Sequence, residues 1–477
     1  MRAFPLAVPL AGLLAVAGCA DDPAEKVAPP TVRAGGALPT VQPAGAFAKE
    51  GWFGGADGLH ARVAVRGVER QGAKAVLRYR VTSMDSSVKS VPFEIALLDT
   101  AGRRLYKPTD TTSGSGFAPG ATREMVADYP PIPATVSKVT AITPGTAGEI
   151  TGIPVTGASA APGTPSSSAP STTGPVSPAP AAPSVGAEPF LAGAPSPITT
   201  SPSAAVPGAN PVDLYDIVEG EDRTVSSGPA GVTVGLRGDA LFEGGSSKVS
   251  ARGRTALGEV VRQVKAKAAG TLTVDARGGG SKVSGERAQA VMKEMKDELG
   301  AGFTYVANGW PDGDSVDVTY QLKSAQSGSR PPASFHAQDG QKVASRMASF
   351  GAAKRRLEVK PFYRDGAYIV AVFDIVNEGP GATPPDASYP NPSYPGGVFG
   401  AFSIQVPGQK DVYRAVRVGP ATPGRPTRYV DPGRAVFRTA VNEPVRGFVY
   451  LPAPPGAVKS VTLDAGPFGK VEKVPVS

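Results

Sequence analysis

Arg70-Gln71-Gly72-Ala73-Lys74-Ala75-Val76-Leu77-Arg78-Tyr79-Arg80-Val81 aligns without gaps on Arg364-Asp365-Gly366-Ala367-Tyr368-Ile369-Val370-Ala371-Val372-Phe373-Asp374-Ile375. Each copy reads as a glycine turn followed by an alternating strand. The match extends outward: Phe93-Glu94-Ile95 corresponds to Phe402-Ser403-Ile404, and the stretch from Tyr129 to Val155 parallels that from Tyr450 to Val476. Both stretches offer short alternating strands between Pro/Gly turns, the pattern of an antiparallel sandwich. The reading is two related all-β sandwiches, residues 46–155 and 326–477.

Between them the composition changes twice. From Thr156 to Pro211 the chain is almost only Ala, Pro, Ser, Thr and Gly, which cannot bury a core. It reads as a linker, a spacer holding the distal modules away from their anchor. From Val212 a different grammar begins. Val232 to Leu236 is a strand, and Leu241-Phe242 follow a short turn. Ser250 to Ala268 places Leu257, Val260, Val261 and Val264 at helical spacing among Arg and Lys. Thr271 to Asp275 is a second strand. Ser284 can cap a second helix carrying Ala288, Val291, Met292, Met295 and Leu299 on one face, and Phe303 to Ala307 and Val316 to Leu322 add two more strands. The order predicts an α+β module over 212–325, two helices on a mixed sheet.

Val232-Thr233-Val234-Gly235-Leu236, then Asp239-Ala240-Leu241-Phe242, Ser246, and Val283-Ser284-Gly285-Glu286-Arg287-Ala288-Gln289-Ala290-Val291 together resemble the C-terminal domain of the OmpA-like family over residues 230 to 322. In that family the second helix opens on Leu-Ser-x-x-Arg-Ala-x-x-Val, and Val283 stands here at the Leu. The resemblance implies non-covalent binding of peptidoglycan through the diaminopimelate of the stem peptide. The motif Arg, here Arg287, would take its carboxylate, and an Asp in the strand-to-helix loop its ammonium group. A guanidinium suits that task because its planar fork holds a carboxylate bidentately. The loop departs from the family: residues 274–282 are shorter and lack its Gly-His-Thr-Asp block and Asn. Asp275 is the nearest acid, on the strand rather than in the loop, and is the candidate substitute. The alternative for Arg287 is a fold-preserving residue paired with an acid elsewhere.

The N-terminus reads Met1 to Gly18 as a secretory signal, Arg2 ahead of an apolar run too short for a membrane span. Val16-Ala17-Gly18-Cys19 resembles the bacterial lipobox, which implies that Cys19 is acylated (with palmitate among the usual chains) and becomes the first residue of a lipoprotein. A polar, Pro/Ala-rich tether follows over 19–45. The sandwiches resemble the immunoglobulin-like modules common in extracytoplasmic bacterial lipoproteins, a resemblance that implies binding or spacing and names no ligand.

Composition limits the chemistry. In 477 residues there are one Cys and two His, His60 and His336. That excludes disulfides within the chain, Cys-rich metal sites and multi-His centres. The formal charge of +8 is spread along the chain with no compact basic run, so no nucleic-acid partner is expected. Gly278-Gly279-Gly280 has neither a P-loop nor a dinucleotide fingerprint, and no cofactor is expected. Asp312-Gly313-Asp314-Ser315-Val316-Asp317 lacks the later positions of a calcium loop and reads as a hairpin. There is no Gly-x-Ser-x-Gly elbow, so no enzyme is expected.

Two functions follow. The first is a non-catalytic, lipid-anchored protein on the extracytoplasmic face of the cell membrane, binding peptidoglycan or another wall component through Arg287 and Asp275. The second is a surface or secretion-associated adaptor that binds protein partners through the middle module and a Pro/Gly/Tyr-rich insertion, Asn377 to Gly397. Tyr389 and Tyr394 are expected at the tip of that long loop, where Tyr gives contact area at low entropic cost.

Overall fold

The computed structural model describes residues 47–54, 58–111, 116–157, 210–324, 330–381, 387–421, 425–433 and 440–477. The signal and tether readings, Cys19, and the 156–211 linker apart from its ends lie outside the described residues.

The first sandwich comprises β1 (Phe47–Phe53), β2 (Leu59–Gln71), β3 (Lys74–Ser83), β4 (Ala96–Asp99), β5 (Arg104–Tyr106), β6 (Asp110–Thr111), β7 (Thr122–Tyr129), β8 (Lys138–Ile142) and β9 (Glu149–Thr156). One antiparallel sheet runs β1-β2-β3-β7 and the other β5-β4-β8-β9. Alternation along β3 sends Ala75, Leu77, Tyr79 and Val81 into the core and leaves Lys74, Arg78 and Arg80 outside. The sheets meet where β2 and β9 pair in parallel at Val68 and Val155.

The middle module holds β10 (Val212–Glu219), β11 (Arg223–Ser227), β12 (Gly231–Arg237), α1 (Gly238–Leu241), α2 (Ala251–Lys267), β13 (Ala268–Arg277), α3 (Gly280–Leu299), β14 (Thr304–Trp310) and β15 (Ser315–Leu322). Its strands lie in the order β11-β12-β15-β13-β14, with only β13 and β14 parallel. Leu257, Val260, Val261 and Val264 of α2 and Ala288, Val291 and Met295 of α3 pack on Val232, Val234, Leu272, Val274, Val316 and Val318. The helical spacing and the mixed sheet are as the sequence suggests, with two local corrections. Ser284 does not cap α3; it lies inside the helix, donating to the carbonyls of Gly280 and Ser281, and the cap is Gly279 at φ 78°. The short loop must reverse the chain within three glycines, so the helix starts a turn earlier. Nor is 312–317 a hairpin. β15 pairs with β13 and β12, so the connection from β14 crosses over the end of β13.

The second sandwich comprises β16 (Ala344–Phe350), β17 (Ala353–Val359), β18 (Tyr363–Asp365), β19 (Tyr368–Gly379), β20 (Phe402–Gln405), β21 (Val412–Arg414), β22 (Arg417–Val418), β23 (Pro444–Pro452), β24 (Ser460–Ala465) and β25 (Lys470–Pro475). Its sheets repeat the first module: β16-β17-β19-β23, with β18 also on β19, against β21-β20-β24-β25. The parallel contact recurs at Phe362 and Val476. The aligned turn glycines, Gly72 and Gly366, have φ of 61° and 60°, a region open to glycine at no steric cost.

The modules are not beads on a string; all described residues lie in one compact unit, Ala44–Ser477. β10, which directly follows the linker, pairs with β5 of the first sandwich at Val212 and Leu105, with β22 and β21 of the second, and with β11. The linker therefore returns the chain to the body it left. Leu98, Leu105 and Ile142 of the first sandwich, Leu214, and Tyr368, Val370, Val372, Phe448 and Tyr450 of the second form one shared core. Beside it, Arg446 grips Glu149 at 2.7 and 3.2 Å and Asp339 at 2.7 and 2.9 Å. Glu149 is fully buried and also takes Lys49 at 3.3 Å and the Tyr363 hydroxyl at 2.7 Å. Burial raises the Glu149 pKa, but Arg446 and Lys49 outweigh it and bring it down to about 2. The segment at 333–339 touches both sandwiches: Phe335 packs on Phe47 and Ser334 O accepts from Thr151, while Ala333 N donates to Asp365 and Asp339 takes Arg446.

Candidate functional site

Arg287 sits two turns into α3 and is 5% exposed. Its Nε donates to Ser246 O at 3.1 Å, and its guanidinium carbon lies 4.7 Å from the centre of the Phe242 ring, an attractive cation–π arrangement. The side chain is thus held from beneath and from one side. Its Nη1 reaches Asp314 Oδ1 at 3.4 Å, and the Asp314 side chain is 58% exposed. A guanidinium has five N–H donors, and two bonds are described here, the second of them toward the partly exposed Asp314.

The crossing loop puts Asp314 there. A β-carbon at Gly278, where φ is 93°, would lie 2.1 Å from Gly313 O, and one at Gly238 would lie 2.0 Å from Asp314 Oδ1. Only glycines let the 311–314 loop lie this close to the starts of α3 and α1. Gly238 N also donates to Asp314 O at 3.1 Å. Arg237 and Asp239 form an exposed pair at 2.5 Å on the rim. The result is a fixed cation and an exposed carboxylate side by side, a pair complementary to a zwitterion.

Asp275 is elsewhere. Val274 and Ala276 face the helices, so Asp275 faces the opposite side of the sheet from Arg287 and cannot partner it. There it accepts from Asn308 Nδ2 at 2.8 Å and Trp310 Nε1 at 3.4 Å. Tyr389 is not at a loop tip either. It is 3% exposed, stacked on Phe399 at 6.0 Å and bonded by Arg355 at 2.8 Å, because the described part of the insertion from residue 387 packs into the core of its own sandwich. Tyr394 is half-buried, its carbonyl taking the Tyr429 hydroxyl. His60 stacks on Trp52 at 4.4 Å with Nε2 2.8 Å from Glu50, and His336 lies 5.5 Å from the Tyr363 ring.

Sequence reasoning missed Asp314, having assigned its loop to a hairpin. The sequence shows that β13 and β14 flank a helix and so run parallel, but the pairing of β15 with β13 rather than β14 is a long-range choice that no short window carries.

A cleft of about 1060 Å³ lies between the two sandwiches, lined by apolar side chains including Val91, Leu105 and Tyr429 together with Lys107 and Arg428. None of its walls comes from the middle module. Among the described residues no group of three or more His, Cys, Asp or Glu could hold a metal ion, and no helix is long and apolar enough to cross a membrane.

No family model and no curated protein matches the chain. Solved structures similar to it over about a fifth of the chain include three that follow. The cell wall anchor of the T6SS from Pseudomonas aeruginosa is 17% identical, covering 21% of this chain and 89% of its own, with a TM-score of 0.20. The periplasmic domain of Helicobacter pylori MotB is 12% identical, covering 22% and 85%, with a TM-score of 0.19. The OmpA-like domain of FopA1 from Francisella tularensis is 22% identical, covering 22% and 86%, with a TM-score of 0.16.

Proposed function

We propose that the chain is a non-catalytic cell-envelope protein whose middle module associates with peptidoglycan, with the protein held at the membrane by acylated Cys19 and its sandwiches serving as immunoglobulin-like scaffold. The observation that carries the reading is the Arg287–Asp314 pair: a buried, oriented guanidinium beside an exposed carboxylate. Arg287 takes the carboxylate and Asp314 the ammonium group of a stem-peptide diaminopimelate, so Asp314 supplies what the shortened loop lost. Charge-assisted bonds of this kind are worth about twice neutral ones.

Co-sedimentation of the purified chain with diaminopimelate-type sacculi tests this. Asp314→Ala and Arg287→Lys are expected to lower binding roughly tenfold or more with unchanged circular dichroism, since Lys cannot fork a carboxylate. A folded wild-type chain that stays in the supernatant, or Asp314→Ala binding as well as wild type, sinks the assignment. The adaptor reading keeps one supporting feature, the cleft between the sandwiches, to which Ala387 and Ser388 of the insertion contribute. Capture of a defined partner by a chain that ignores sacculi would favour it.

A further inference from the structure

The face of the middle sheet away from the helices carries Thr233, Thr319, Asp317, Asp275, Arg277, Asn308 and Trp310 by strand alternation. The Trp310 side is an edge, since β14 pairs only with β13 among the described strands. Trp310 is 48% exposed and Val306, two registers back on the same face, 38%. An indole left half in water is not there for the core. It is held in place all the same: its Nε1 donates to Asp275 at 3.4 Å, and Arg277 lies 6.0 Å from its ring centre. Asn308 donates to the same Asp275 oxygen at 2.8 Å, and Arg277 reaches Asp317 at 3.7 Å.

We infer that this face is a binding platform for the saccharide strand of the polymer whose peptide the Arg287–Asp314 pair holds; the inference rests on the wall-binding reading. A pyranose offers an apolar C–H face and a rim of hydroxyls, each both donor and acceptor. An exposed indole flanked on the same face by a carboxylate, an amide and a guanidinium meets both demands: ring on ring face, and polar groups for the hydroxyl rim. Arg277 is paired with Asp317, and Asp275 is taken up by the neutral donors of Asn308 and Trp310, which suits a hydroxyl-rich ligand better than an anion. The two sites also adjoin. Gly278 N donates to Trp310 O at 2.9 Å, and Gly313, beside Asp314, packs on the Arg277 side chain. A chain of sugars on the platform would therefore present its peptide branch at the end of the sheet where Asp314 lies.

Trp52 and Trp310 are the two tryptophans of the chain, so the full chain carrying Trp52→Phe reports Trp310 alone by its emission. Titration with an N-acetylglucosamine tetramer is expected to shift that emission saturably. Retention on peptide-free glycan strands should fall roughly tenfold in Trp310→Ala and stay near wild type in Trp310→Phe, which keeps an aromatic face. No emission change together with unaltered retention of Trp310→Ala overturns the inference, whatever the peptide does. Binding of a synthetic diaminopimelate tripeptide, measured in parallel, separates the two readings. Its failure with saccharide binding intact removes the stem-peptide assignment and leaves the platform standing.

Discussion

β3 and β19 hold the same place in two sandwiches of like topology, yet β3 leaves much of its outer face to water and β19 buries nearly all of both. On β3, Lys74, Arg78 and Arg80 point to water; at the aligned positions β19 has Tyr368, Val372 and Asp374, and only Asp374 is not buried. The inward residues serve each module's own core. The outward residues of β19 instead join the core shared with the first sandwich. The strand order is thus the same in both sandwiches, and the destination of one face differs. A strand covered on both sides reads as a continuous apolar run, and Tyr368-Ile369-Val370-Ala371-Val372-Phe373 is such a run.

The comparison is broken most severely by exchanging the two outer faces. Val372→Arg places a charge in the shared core with no partner provided for it, and a loss of about 4 kcal/mol or no folded protein is expected. Arg78→Val at the aligned site should change stability by less than about 0.5 kcal/mol. Urea unfolding of both variants reads this directly, and two small effects would mean the sandwiches do not dock through β19.

Next in size is the ion cluster at the rim of that junction. Arg446→Ala strands Glu149 and Asp339 without their shared cation, and removing one partner of a buried pair typically costs about 3–5 kcal/mol. On the outer face of the first sandwich, Glu124 accepts from Arg80 at 2.5 Å and Arg66 at 2.8 Å, in the open. Solvent screens such pairs, so Arg80→Ala should leave the unfolding midpoint unchanged within error. A midpoint shift in Arg80→Ala as large as that in Arg446→Ala would erase the distinction between the two faces.

Much of the fold was legible because it is local. The aligned glycine turns, the period of β3 and the helical spacing of Val260, Val261 and Val264 are written in short windows. The docking of the modules was not, because nothing within one window says that β10 will pair with β5, β21 and β22. The apolar run on β19 carries the signal, but its inward positions alone also fit simple alternation. In the site, Arg287 was legible from its motif, whereas Asp314 depends on which strands are neighbours. Asp275 misled for a related reason: it is near Arg287 in sequence, but strand alternation puts it on the other side of the sheet. Tyr389 misled because proline and glycine around it suggest an exposed loop, and composition does not show that the loop folds inward.

The smallest expected effect is a dependence on pH that belongs to the buried junctions and loops and not to the outer faces. Burial raises the pKa of Asp216, with Arg103 opposing it, and of Asp431, with three backbone N–H donors opposing it, each to about 6. Their folded values lie above the unfolded 3.8, so their stabilising contribution is present at low pH and is lost as pH rises through 6. Lowering the pH from 7 to 5 should therefore add about 1 kcal/mol for each. Glu149 runs the other way. With a folded value of about 2 against an unfolded 4.5, its contribution is present above 4.5 and is lost as the pH falls toward 2. Stability should peak near about pH 4, where the last of the gain from protonating the two aspartates is balanced by the growing loss from Glu149. Urea midpoints from pH 3 to 8 would show the maximum. In Glu149→Gln the acid limb should flatten while the limb between 5 and 7 persists, because a neutral amide has no proton to gain; an acid limb unchanged in that variant would place the titrating group elsewhere in the junction.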